Sequence, residues 1–236
     1  MNRDINRILK SWEYQPDTLI IRKIIGDDGN EKIQIRINLG ILQMEVDGRP
    51  DGKTPQNAKS LLEYYNSIIE EFGEQGRGGM GLTLSRKDMR ELDDELMQYY
   101  QRRVCFFALQ DYKYARKDAE HNLKLMDLIK EHCTNEDYIE SHERFRPFVI
   151  MERARAAGLE SIDSGDYLNA MRHVGDAITQ IEEFHAARGV NADEMRRTRE
   201  LVILEKWRNQ IHRDWEGGVT EIEEDEDAHE DDREDI

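Results

Sequence analysis

Cysteine, proline, basic charge and long apolar runs are all in short supply in this chain. Its 236 residues include four prolines and two cysteines, Cys105 and Cys133, which have no C-x-x-C spacing and no ligand cluster around them. That excludes a disulfide scaffold and fits ordinary thiols in a reducing compartment. No stretch approaches the ~20 apolar residues needed to cross a membrane, and the segment from Met1 to Lys10 lacks the continuous hydrophobic core of a secretory signal. The expectation is a cytoplasmic protein with no membrane attachment. Lys and Arg total 34 against 51 Asp and Glu, a net charge of −17. The imbalance is concentrated at one end: residues 221–236 hold eleven acids and one Arg, a contribution of −10, which leaves −7 for the other 220 residues. Phosphate neutralisation needs clustered Lys and Arg, so neither nucleic acid nor an anionic membrane is expected as the main ligand.

Charged residues make up 36% and apolar residues 38% of the chain, a balance that suits helices with thin apolar stripes. Ile5, Ile8, Leu9 and Trp12 fall on one helical face. After Pro16, the runs Leu19 to Ile25 and Ile33 to Ile37 flank a Gly/Asp/Asn-rich segment, which predicts a β-hairpin. The alternation resumes out of phase after Gly40, so a bulge or bend is expected there, with two or three antiparallel strands in all. Turn signals from Asp47 to Gly52 precede Thr54-Pro55, which is expected to open a helix through Leu61 to Phe72. Five glycines from Gly73 to Gly81 read as a linker. Ser85, with Asp88 three residues on, reads as the N-cap of a helix carrying Met89, Leu92, Leu96, Tyr100 and Phe107.

Two later segments share a pattern. Ala115 and Leu123 follow Tyr112 at the same offsets as Ala170 and Ile178 follow Tyr167, and the second copy adds Gly158, Gly165 and Ala177. This is similar to the tetratricopeptide repeat, in which small residues let two antiparallel helices pack closely and the Tyr fills their turn. The first copy has Arg103 and Gln110 where the pattern has glycines, and the copies lie 55 residues apart, with an extra short helix expected in residues 134–147. A last helix, about residues 193–215, is expected to stop at Gly217-Gly218.

The chain also resembles a group of bacterial proteins of no assigned activity through Gly40-Ile-Leu-Gln-Met-Glu45 with Gly48-Arg-Pro-Asp-Gly52, Arg102-Arg-Val-Cys105 and Arg146-Pro-Phe148. Members of that group often end in a UVR motif, the helical hairpin shared by the excision-repair subunits UvrB and UvrC. The motif itself is not evident here, because the terminal helix lacks its small-residue centre. The resemblance implies a nucleic-acid-associated role in repair or stress as an alternative function.

Candidate chemistry is sparse. Gly76 to Gly81 matches G-x-G-x-x-G, but a helix precedes it where a dinucleotide site needs a strand. His121 and His132 lie about 16 Å apart along one helix at ~1.5 Å per residue, too far to share a metal, and a hydrogen bond to another helix is the simpler role. Cys105 lies beside Phe106 and Phe107 as a small core residue would. Arg102, Arg103, Arg144, Arg146, Arg153 and Arg155 lie on or beside the first helix of each pair, placed to clamp carboxylates of a peptide unless Glu152 and Glu160 engage them within the helix.

These features predict a mainly α protein with tetratricopeptide-like antiparallel helix pairs and a small N-terminal α+β module holding a β-hairpin or three-stranded sheet. The expected organisation is a module at 1–72, a glycine-rich linker at 73–84, a helical domain at 85–216 and a disordered acidic tail at 217–236. The expected function is a non-enzymatic protein–protein interaction or scaffold role. Its partner would be a protein or peptide contacting Arg102, Arg103, Arg146, Arg153 and Arg155, while Tyr112, Ala115, Gly158, Tyr167, Ala170 and Ala177 pack the repeats. No cofactor, metal or catalytic residue is expected. An enzyme with a site between the sheet and the helices is the second alternative.

Overall fold

The computed structural model describes residues 4–74 and 82–230. They form a mainly α protein with a small three-stranded sheet near the N-terminus. Two units divide the chain, with their boundary between Arg146 and Pro147 and not in the glycine-rich segment. Of that segment, residues 75–81 lie outside the described residues, as do 231–236 of the acidic tail. Among the described residues, no helix is long and apolar enough to cross a membrane.

In the first unit, the short helix α1 (Asn6–Ser11) precedes the antiparallel strands β1 (Ile21–Ile25), β2 (Glu31–Ile37) and β3 (Gly40–Glu45), arranged in sequence order. The expected hairpin turn closes with Gly26 N donating to Asn30 O at 2.8 Å. Its Gly29 takes φ +79°, a backbone conformation that favours glycine. Gly40 is neither a bulge nor a bend. It pairs with Ile37 across a two-residue turn, Asn38-Leu39, and begins β3; the turn itself resets the alternation. The sheet has one apolar face, on which Ile33 and Met44 are buried. Its other face is polar. There Arg22 donates to Gln34, Gln34 to Gln43, Lys32 pairs with Asp28 and Glu45, and Arg36 donates to the carbonyls of Trp12, Ile37, Asn38 and Gly40.

Pro55 opens only a 3-10 turn, Pro55–Asn57, because Gln56 and Asn57 take positive φ and break the helical path; α2 (Leu61–Glu74) starts at Leu61. Helix α3 (Arg86–Ala108) has the expected cap at Ser85, whose hydroxyl accepts from Asp88 N while Asp88 accepts from Ser85 N. A tight turn leads to α4 (Tyr112–His132), and α5 (Glu136–Glu143) supplies the expected extra helix. Leu61, Leu62 and Tyr65 of α2 share one core with Leu92 and Leu96 of α3 and with Leu125, Leu128 and Ile129 of α4. The first helix pair therefore belongs with the sheet module, which is why the division falls later than the linker suggests.

The second unit contains α6 (Arg146–Asp163), which starts at the boundary, α7 (Tyr167–Ala186), α8 (Ala192–Met195) and α9 (Arg199–Glu230). Helices α6 and α7 run antiparallel, joined by Asn169 Nδ2 donating to Ser161 Oγ near the turn and Arg153 Nη2 donating to Gln180 Oε1 farther out. Gly158 allows Trp207 of α9 to approach: a Cβ there would lie 2.6 Å from the indole. Helix α9 does not stop at Gly217-Gly218 but continues to Glu230, so residues 217–230 are helical where a disordered tail is expected. Glycine ends a helix only when it adopts a left-handed conformation, and Gly217 keeps helical backbone.

Candidate functional site

The polar side chains of the first unit converge where the loop after β3 meets α2, α3 and α4. Gly48 and Gly52, at φ +68° and +72°, fold that loop back so that Glu45 N donates to Pro50 O and Arg49 N to Lys59 O. Arg49 is thereby turned inward. On α3, Leu92, Glu95, Leu96, Tyr99, Arg102 and Phe106 are buried at spacings that share one face. Glu95 is fully buried, and its carboxylate accepts from Arg49 Nη1 at 3.1 Å and from the backbone N–H groups of Leu61 at 2.8 Å and Leu62 at 3.3 Å. It also lies 2.9 Å from His121 Nε2. A side chain of α3 thus caps the N-terminus of α2, where the helix dipole favours a negative charge. The other edge of the Arg49 fork meets both Asp51 oxygens at 3.0 Å. Burial works against the ionised Asp51, but the bonds from Arg49, Lys53 N and Gln98 outweigh it and hold its carboxyl well below the usual range.

Two turns farther along α3, Arg102 makes a bidentate bond to Asp118 of α4 at 2.7 and 2.9 Å and donates to the carbonyls of Glu45 and Gly48. Burial pushes the Asp118 carboxyl upward against the pull of that guanidinium. Tyr99 lies between the two groups. Its ring stacks on His121 at 3.5 Å, the Arg102 guanidinium sits 4.7 Å from its centroid, and its hydroxyl donates to Gly48 O. The pairings of residues 102 with 118 and 95 with 121 run in opposite directions along the chain, as antiparallel helices require.

The arginines expected to clamp a partner are divided between the two units. Arg102 and Arg103 are buried, the latter 5.3 Å from the Tyr100 ring centroid. Arg146 is bonded to Glu143 and Asp127, Arg153 to Gln180, and Arg155 is exposed with Glu152 at 3.6 Å. Arg144 stacks on Phe145. Of the packing residues, Ala115, Ala170 and Ala177 are buried, Gly158 meets Trp207, and Tyr112 and Tyr167 are half-buried at the starts of α4 and α7. Sequence reasoning missed Glu95 and Tyr99, and met Arg49 only within the Gly48 to Gly52 motif. The signal for Glu95 was present: a charge on the apolar face between Leu92 and Tyr99.

Burial lifts the Cys105 thiol to about 12, which keeps it protonated and unreactive at neutral pH. His121 makes the bond to another helix expected of it. Among the described residues, no group of three or more His, Cys, Asp or Glu is placed to hold a metal ion. The glycine motif at Gly76 to Gly81 lies outside the described residues. The cluster's hydrogen bonds join loop, sheet and helices. Compared with known proteins, the chain matches no family model, no curated protein and no solved structure.

Proposed function

We propose that the protein is a non-enzymatic protein-binding scaffold that uses the outward face of its tetratricopeptide-like helices. The observation that carries this is the division of labour on α3. Its inner face is committed to Glu95, Tyr99 and Arg102, while Met97 and Tyr100, three residues apart on the other side, are 54% and 39% exposed. Met adapts to varied partners, and Tyr offers a large contact area with a polar tip. The partner is a protein or peptide with an apolar anchor flanked by polar groups. The test is affinity enrichment from native lysate with the full chain and with a Met97→Asp/Tyr100→Asp variant. A stoichiometric partner retained by the first and lost by the second is the expected result. Retention of the same proteins by both, or of none by either, would overturn the proposal.

A further inference from the structure

The outer edge of β3 is built to pair with itself. Two hydrogen bonds fix which way its main chain points: Arg36 N donates to Ile20 O on the β1 side of β2, and Glu45 N donates to Pro50 O on the outer side of β3. Antiparallel alternation then directs the N–H and C=O groups of Ile41 and Gln43 away from β2, toward an edge where no further strand pairs among the described residues. Leu42, between them, projects onto the apolar face, where it is 38% exposed beside Ile37 at 47%, and Leu39 in the adjoining turn is 88% exposed. Natural sheets blunt such edges with Lys, Pro or a bulge. None stands here: Gly40-Ile-Leu-Gln-Met44 is uncharged, and its ladder to β2 is regular. The β1 edge, by contrast, carries Arg22 and Lys23, which would face like charges in a self-pairing.

We infer that β3 pairs antiparallel with β3 of a second copy of this chain, across a two-fold axis through Leu42. With that centre, Ile41 faces Gln43 of the second copy and Gln43 faces Ile41, so both outward residues exchange both their hydrogen bonds, and one sheet continues through the dimer. The two Leu42 side chains meet in the close, non-hydrogen-bonded position, flanked by Ile37 on the same apolar face. The surface includes neither Met97 nor Tyr100, so this inference stands or falls independently of the proposed function.

The experiment is sedimentation of the full chain across the micromolar range, with three variants. The wild type should sediment as a dimer. Leu42→Lys, which sets like charges against each other at the axis, should be a monomer with an unchanged circular-dichroism spectrum. Leu42→Cys should give a covalent dimer under mild oxidation, since directly opposite residues of this kind lie about 4.5 Å apart at Cα, within disulfide reach. Exposed Leu168→Cys, in the second unit, should give none. A monomeric wild type would overturn the inference. So would a dimer that persists in Leu42→Lys, or a Leu42→Cys variant that fails to cross-link; the cross-link decides if the Lys variant does not fold.

Discussion

Glu95 ties together α2, α3, α4 and the loop after β3. Arg49, two α2 amides and His121 all meet one carboxylate with no exposure to water. Removing one partner of such a buried group leaves the others desolvated and unmatched, so Glu95→Ala should cost about 3–5 kcal/mol, read from urea unfolding at neutral pH. A loss under about 1 kcal/mol would place the carboxylate with exposed ion pairs and deny it this role. Asp51, on the outer side of Arg49, provides a pH test. Its carboxyl titrates lower in the folded chain than in the unfolded one, so its stabilisation is complete above the unfolded value of about 3.9 and is lost as pH falls from there toward the lower folded value. Asp51→Asn should therefore flatten the decline of unfolding free energy as pH falls below about 4; an equally steep decline in the variant would trace the acid sensitivity to other carboxylates. At this scale the sequence was only partly legible. A charge on an apolar stripe marks Glu95, but Arg49 lies 46 residues upstream and reaches it only through the left-handed turn at Gly48, which no periodicity encodes.

The two helix hairpins turn in the same way despite different residues. In the second, Gly165 takes φ +77°, Gly165 N donates to Ile162 O and Asp166 N to Ser161 O. In the first, Gln110 takes φ +57°, Gln110 N donates to Phe107 O and Asp111 N to Phe106 O. Both are the paired-bond helix ending that glycine favours, and Gln110 bears the steric cost of a Cβ in a left-handed conformation. Gln110→Gly should raise stability by about 1 kcal/mol in thermal unfolding, while Gly165→Ala lowers it by a similar amount. No gain from Gln110→Gly would mean that the surrounding bonds already offset that cost. The matched tyrosine offsets made these hairpins readable, as alternation did the strands. The start of α2 and the end of α9 were not readable, because both depend on whether a turn residue actually leaves helical backbone: Gln56 does, and Gly217 does not.

For the whole molecule, the glycine-rich segment misled because composition reports where a chain can bend and not which surfaces it joins. Leu61, Leu62 and Tyr65 before that segment and Leu92 and Leu96 after it fill one core, so the segment runs inside a unit. Glu95 adds a temporal side to this arrangement. The cap on α2 and the partner of Arg49 both come from residues made later, and the core that covers Leu61 is completed only by Ile129. At about 5–20 residues per second, ribosomal synthesis leaves several seconds between Tyr65 and Ile129. During that interval the nascent module holds apolar surface and an unpaired strand edge in the open, where chaperones and proteases compete for it.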